Sequence, residues 1–316
     1  MSPRSTTPRV SLALPVYNGA RYVAKAVESI LDQGYEDFRL TITDNASTDG
    51  TEGICRKFAE LDSRVNYVRN PRNLGAGPNY NLGFELSTGE YFKWCACDDY
   101  LSPNFLESCV AALDRRPDAA VAYATTRSVD EDGAQIDLVG SMAPDMTGAG
   151  PALRFYKVLT EVGTCYEIFG LFRRDVLKRS TLQRGYYGSD HALLAEIALL
   201  GSYVHVPEAT LYNREHKDRS INMSDTLARV AWQDTSASKK YSLEHIRHLN
   251  HLIEIALRHR RAVSPAQTLS YLFLSETRPL QLMRFGLDLV GLASPPVRRR
   301  LRDAGWKCLR SLQIQL

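Results

Sequence analysis

The six cysteines, Cys55, Cys95, Cys97, Cys109, Cys165 and Cys308, form no CxxC pair and show no zinc-type spacing. That pattern excludes a disulfide framework, a redox pair and a structural zinc site, so the thiols are expected to be reduced, as in a cytoplasmic protein. No apolar run approaches the roughly 18 residues needed to cross a bilayer, and no leader-like apolar stretch stands ahead of the first periodic segment. Charge of one sign is also scarce: a net charge of +3 over 316 residues gives no ground for nucleic acid as a partner. No GxGxxG follows a strand pattern, which disfavours a dinucleotide-binding dehydrogenase. Internal repeats and low-complexity segments are absent as well.

What is present is ordinary globular composition, 44% hydrophobic and 24% charged, enough for one large domain or one domain plus a smaller appendage. Residues 1–8 are polar and turn-rich and are expected to form a loose tail. Arg9–Pro15 is apolar and β-branched enough for a buried strand, and Tyr22, Val23, Ala26, Val27, Ile30 and Leu31 follow at helical spacing. The unit recurs. Phe38–Thr43 reads as a strand, Ser47 or Thr48 as a helix cap, and Ile54, Phe58 and Leu61 as the apolar face of a helix. Val65–Val68 and Tyr91–Trp94 read as two more strands, separated by a helix that Pro78 opens and that runs to about Leu86. Ala119–Thr125, Tyr166–Phe172 and Tyr203–Val206 are further strand candidates, and a helix is expected at about Asp190–Leu200. Strands alternating with helices imply a mainly parallel α/β sheet. From about Thr226 onward the pattern is helical, with Trp232, Leu243, Ile246, Leu249, Leu252, Ile253 and Ala256 as apolar positions, and a boundary is placed near residue 220.

In such sheets, ligands sit beyond the carboxyl ends of the strands, where the expected loops hold Tyr17, Asp44 and Asp98–Asp99. Ser102 is expected to cap, and Pro103 to open, the helix that follows the acidic pair. Adjacent carboxylates at a strand end suit a hard divalent cation bridging two phosphates together with a ribose hydroxyl; the same pair also suits a solvated Asx turn. Asp44 can accept hydrogen bonds from a base with ring N–H groups, or can organise its own turn. Tyr17 can pack on that base or simply on its neighbours.

The ordered set Leu14-Pro15-Val16-Tyr17-Asn18, Thr43-Asp44-Asn45-Ala46-Ser47-Thr48-Asp49-Gly50-Thr51, Asn73-Leu74-Gly75 and Cys97-Asp98-Asp99 resembles the family-2 glycosyltransferases of GT-A fold. The resemblance spans roughly residues 9–220. It implies a GT-A type, Rossmann-like, mainly parallel α/β sheet flanked by helices, with nucleotide-sugar binding at about 9–125, an acceptor and base region at about 126–220, and a C-terminal helical extension over 221–316. It implies a nucleotide-diphosphate sugar held at Pro15, Val16 and Tyr17, its base on Asp44, with Asn73, Gly75 and Asn79 completing the donor loops. Asp98 would lie near the ribose and Asp99 on Mg²⁺ or Mn²⁺. Many relatives carry a third acid in this motif, where Cys97 stands here immediately before the pair.

Inversion needs a base for the acceptor hydroxyl. Asp190, in Tyr187-Gly188-Ser189-Asp190-His191, matches the family's acidic residue before a helix, and it would otherwise serve as an N-cap. Tyr212-Asn213-Arg214-Glu215-His216 resembles the family's Arg-x-His segment, which assigns Arg214 to the diphosphate and His216 to the metal. Sugar-selecting residues are expected around Val139–Gly150 and Gly163–Phe169. His245, His248 and His251 recur every three residues on a helix and read as an exposed face rather than a metal site. Val297-Arg298-Arg299-Arg300-Leu301-Arg302, with Trp306, Lys307, Leu309, Arg310 and Leu312, suits either an anionic membrane surface, as for a glycolipid acceptor at its inner face, or a homodimer contact. The alternatives of the same fold are a non-catalytic sugar-nucleotide or carbohydrate-binding protein and a sugar nucleotidyltransferase. The latter needs a Gly-rich triphosphate loop that Pro15-Val16-Tyr17-Asn18-Gly19 does not provide.

Overall fold

The structure, a computed structural model, describes residues 7–139, 143–144, 146–223, 226–236, 243–293, 297 and 301. The basic C-terminal run expected to meet a membrane or a second subunit therefore lies, apart from Val297 and Leu301, outside the described residues.

In chain order the elements are β1 (Val10–Val16), α1 (Val23–Leu31), β2 (Phe38–Asp44), α2 (Thr51–Leu61), β3 (Val65–Arg69), α3 (Ala76–Glu85), β4 (Tyr91–Trp94), β5 (Tyr100–Leu101), α4 (Phe105–Arg115), β6 (Ala119–Val129) and β7 (Gln135–Val139). Then come α5 (Pro151–Glu161), β8 (Leu171–Arg173), α6 (Arg174–Lys178), α7 (Ser189–Leu200), β9 (Ser202–Arg214), α8 (Thr226–Gln233), α9 (Glu244–Arg258), α10 (Pro265–Glu276) and α11 (Pro279–Ala293). The strands form a single sheet in the order β3-β2-β1-β4-β8-β6-β9-β5, with β7 attached to β6. β1, β2, β3 and β4 are parallel, as are β6 and β9, while β8 runs antiparallel between β4 and β6.

Both faces of the sheet are covered, which is why its strands read as continuous apolar runs. Successive side chains of β1 divide between two cores. Val10, Leu12 and Leu14 pack with Val27, Ile30 and Phe105, whereas Ala13 joins Phe92, Trp94, Phe155 and Leu193 on the opposite side. Gly83 lets α3 lie directly on β1, because a Cβ there would come within 2.5 Å of the Ala13 Cβ. Trp94 is fully buried, edge-on to Phe92 with centroids 4.8 Å apart, and its indole N–H donates to the Tyr80 carbonyl at 2.8 Å. That bond ties α3 to the strand that carries the acidic pair.

Several local expectations change. Tyr166–Phe169 is a short 3-10 helix, and only Leu171–Arg173 extends as a strand. α2 begins at Thr51 after Gly50, with Ser47 accepting instead from the Asn18 N–H at 2.9 Å. α4 begins at Phe105, after Pro103; the Ser102 hydroxyl donates to Asn104 Oδ1 at 2.8 Å and accepts from the Thr210 N–H at 3.0 Å, so it joins two loops rather than capping the helix. Tyr212–Arg214 belongs to β9 rather than to the loop beyond it. The C-terminal helices share the second core: Leu252 and Ile255 of α9 and Leu272 of α10 pack with Phe155 and Leu193. Trp232 and Ile253 are more exposed than the periodicity implies, each at 36%.

Candidate active site

The carboxyl ends of β1 and β4, the turn after β9 and the start of α7 open onto one cleft of about 2430 Å³, more than a single small ligand fills. Pro15, Val16 and Tyr17 lie along it, and Tyr17 is 45% exposed, its ring open to a planar group. The loop after β1 is fastened to the loop after β2. Asn18 takes a positive φ of 52° and its Oδ1 accepts the Thr48 N–H at 2.8 Å, while the Asn45 N–H reaches the Val16 carbonyl at 2.8 Å. Asn, tolerant of the left-handed region, makes this turn possible.

Asp98 and Asp99 have different surroundings. Asp99 is 6% exposed, and accepts the Arg214 N–H at 2.9 Å and the Asn213 amide at 3.2 and 3.3 Å. Burial, followed by the neighbouring Asp98 charge, pushes its acid up to about 7 against the pull of those donors. Asp98 is more open and its Oδ2 lies 2.9 Å from His216 Nε2. The other ring nitrogen of His216, Nδ1, is buried without a hydrogen-bond partner, as is the hydroxyl of Tyr22, whose ring centroid lies 4.9 Å away.

Arg214 does not reach the cleft as expected. It is 5% exposed, and its guanidinium donates to the carbonyls of Asp98 at 3.0 Å, Asp130 at 3.2 Å and Glu131 at 2.7 Å between the rings of Tyr22 and Tyr100. It clamps the acidic loop instead, whereas Arg219, paired with Glu215, is a cation that does line the cleft. Asp44 is fully buried and outside the cleft lining, holding Tyr67 Oη at 2.6 Å, Arg69 Nη1 at 2.7 Å and the Ser47 N–H at 2.8 Å. Three of the carboxylate's roughly four acceptor sites are thus already taken, away from the cleft. Gly75 is likewise off the cleft: with φ 94° it abuts Asp234, whose Cα would lie 2.5 Å from a Cβ.

Asn73 and Asn79 do line the cleft, but as parts of a latch. Asn45 Nδ2 donates to Asn73 Oδ1 at 2.9 Å, Asn70 Nδ2 to Asn79 Oδ1 at 3.0 Å, and Asn79 Nδ2 to the Thr43 carbonyl at 2.8 Å. Asn45 and Asn70 thus hold the two loops together. Neither position carried a distinct signal beyond lying in an Asn-rich turn.

Asp190 is the second residue of α7, half-buried, and accepts the His191 N–H at 2.9 Å; Gly188, not Asp190, occupies the cap position. Burial raises its acid above the ordinary carboxylate range. The 3-10 segment beside it, including Cys165, Tyr166 and Phe169, lines the same cleft and is pinned when buried Lys93 donates to the Phe169 carbonyl. Gly163–Phe169, where sugar-selecting residues were expected, thus borders the cleft; the other expected loop is only partly described. The histidine face of α9 turns inward, contrary to expectation: His251 is 5% exposed and bonds Tyr186 Oη and Thr181 Oγ1, each at 2.8 Å, and His248 stacks on His191. Trp232 and Tyr187 complete the wall together with Arg229, which drew no attention in the sequence.

An acid–imidazole pair at the open strand ends and a second acid on a helix thus line one cleft. The family model described as Glycosyl transferase family 2 matches residues 11–181. Chondroitin synthase of Escherichia coli is 27% identical over 212 residues, covering 66% of this chain and 29% of the relative; an uncharacterized glycosyltransferase of Haemophilus influenzae is 23% identical over 265 residues, covering 81% and 79%. The chain thus spans less than a third of the chondroitin synthase. Among solved structures, residues 1–349 of Staphylococcus aureus TarS superpose with a TM-score of 0.55 at 18% identity, covering 90% of this chain and 80% of that one. Mannosyltransferase PcManGT from Pyrobaculum calidifontis, in complex with GDP-Man and Mn²⁺, superposes with a TM-score of 0.54 at 19% identity, covering 96% and 81%. The chain belongs to glycosyl transferase family 2 and has a GT-A type fold.

Proposed function

We propose that the protein is a glycosyltransferase that moves a sugar from a UDP-, dTDP- or GDP-sugar to a hydroxyl acceptor (a glycan, glycolipid or small molecule) with inversion and with Mg²⁺ or Mn²⁺ as cofactor. The observation that carries the reading is the single cleft in which Asp98–His216 and Asp190 stand on different elements, one pair at the strand ends and the other acid on α7. Solved neighbours hold UDP, UDP-GlcNAc, or GDP-Man with Mn²⁺, which supports a nucleotide-sugar donor and a divalent ion.

The donor set fits such an ion. Asp98 Oδ2 and His216 Nε2 are adjacent, and the unpartnered Nδ1 leaves the ring free of a competing commitment. Among the described residues no group of three His, Cys, Asp or Glu is gathered for a metal, so substrate phosphates would have to supply the remaining ligands. A carboxylate with an imidazole suits Mn²⁺ better than the oxygen-seeking Mg²⁺. Asp98, rather than the buried Asp99, is therefore the proposed metal ligand with His216, and Asp99 a positioning residue. When bound, the ion neutralises charge on the departing diphosphate.

Tyr17 offers its ring to the base, and Arg219 its charge to the phosphates. Asp190 takes the proton of the acceptor hydroxyl as its oxygen bonds to the anomeric carbon, and the electron pair of the breaking bond leaves on the nucleotide diphosphate. A raised acid makes Asp190 a stronger base than a solvated aspartate. Asp190→Asn is expected to lower turnover by about 10²-fold or more with nucleotide binding retained, measured by release of nucleotide diphosphate and by calorimetry. Full turnover in that variant sinks the assignment. Donor hydrolysis with Mn²⁺ and no acceptor separates an enzyme from a sugar-nucleotide binding protein, which releases none.

A further inference from the structure

The cleft continues beyond Asp190 to side chains the proposed reaction does not use. His191 of α7 and His248 of α9 stack with centroids 5.6 Å apart and planes 20° apart, and Arg284 of α11 lines the same space. Their side-chain hydrogen bonds are few, and that of His248 is long. His191 Nε2 lies 3.1 Å from the Val158 carbonyl, His248 Nδ1 lies 3.4 Å from a Tyr186 hydroxyl that is closer to His251, and Arg284 Nη1 donates to the Gln281 side-chain oxygen at 3.2 Å.

Among the described residues no carboxylate forms an ion pair with any of the three, although a guanidinium has five N–H donors to place. The acid acting on Arg284 is Glu276 of α10, nearly buried, with the Ser275 hydroxyl 3.3 Å from its Oε1. A half-buried cation with unused donors, lining one space with two imidazoles whose charged forms burial disfavours, gains when an anion arrives.

We propose that His191, His248 and Arg284 form a subsite for an anionic group of the acceptor, a phosphate or a carboxylate. The inference rests on reading the Asp190 wall as the acceptor side. His191 follows Asp190 in the chain, so an anion seated on the imidazole pair holds the acceptor beside the base and fixes which hydroxyl reaches it. Binding draws protons onto the rings, since an anion favours their charged form. The unliganded state agrees: burial first, then repulsion from His191, His251, His245 and Arg284, pushes His248 well below the usual histidine range, and burial lowers His191 likewise.

The test follows the histidine ring resonances of the full chain by NMR while inorganic phosphate is added without divalent metal. Phosphate is expected to raise the pKa of the His191 and His248 rings. Its affinity should fall roughly tenfold in both Arg284→Gln and His248→Gln, the loss of one charge-assisted hydrogen bond, and should be unchanged in His216→Ala. Rings unmoved by phosphate, equal affinity in wild type and Arg284→Gln, or a loss confined to His216→Ala would each overturn the proposal, the last placing the anion at the donor station. Competition by methyl phosphate against methyl glucuronide then tells a phosphate-bearing from a carboxylate-bearing acceptor. Nucleotide binding with Mn²⁺, measured in the same variants, reports separately on the donor reading, because Arg284 and His248 stand outside the donor station.

Discussion

At the scale of single residues the site turns on two adjacent aspartates with opposite surroundings. Among the described residues Asp99 is the acceptor of the Arg214 N–H, and its replacement by alanine removes that buried donor's partner. Asp99→Ala is therefore expected to destabilise the protein by about 1–3 kcal/mol. Asp98→Ala should leave the urea midpoint nearly unchanged, and both it and His216→Ala should weaken Mn²⁺-dependent nucleotide binding by about tenfold or more, each as a proposed ligand lost from the ion. Chemical denaturation and calorimetry together check the division. Asp190 carries a pH prediction. As the proposed base it acts deprotonated, so activity is expected to fall as pH drops through its raised pKa, with the acid limb of kcat/KM above the ordinary aspartate value of about 3.9. In Asp190→Asn that limb should vanish along with most of the rate; an acid limb unchanged in the variant counts against the assignment.

At the scale of elements, the helices after residue 220 are bound into the catalytic core. Leu252 of α9 is fully buried against α7, the helix that begins at Ser189 and carries Asp190 in its first turn. Leu252→Ala should cost about 2–5 kcal/mol, the usual range for a leucine truncated in a packed core. Because the cavity lies between α7 and α9, unfolding should remain a single transition at lower denaturant, and a separate early transition of the C-terminal helices would show that they fold as an independent unit. Glu196, fully buried on α7, strengthens the same joint: it accepts from the Thr181 N–H at 2.7 Å and lies 2.7 Å from His259 Nε2, beyond the end of α9.

For the whole molecule, the inward histidines link stability to pH. His251 faces Tyr186, Thr181 and, at longer range, Arg184, Glu196 and Glu254, and burial lowers its pKa from 6.5 to about 4. The unfolded chain binds that proton more tightly. Stability is thus fully present above about pH 6.5, falls as pH drops towards 4, and loses nothing further from this group below that. The loss amounts to about 3 kcal/mol at most. His251→Gln, which can keep hydrogen bonds without titrating, should flatten the decline in denaturation midpoints between pH 6.5 and 4.

The parallel strands, their helices and the loops that carry Tyr17, Asp98 and Asp190 were legible in the sequence. Apolar runs and helical periodicity are local consequences of burial on both sheet faces, and in a parallel sheet the strand ends converge by geometry. The misread details share one feature. Arg214 reaches back to Asp98, Asp130 and Glu131, and His248 and His251 meet Tyr186 across more than sixty residues. No periodicity encodes such pairs. The same limit applies to Asp98 and Asp99, neighbours of one charge at one strand end: the chain order placed both carboxylates at the cleft, and only packing against β9 buried one and left the other beside His216. Local patterning fixes where backbone elements begin and which way they face, whereas the partner a polar side chain finds depends on contacts that exist only once distant strands and helices have come together.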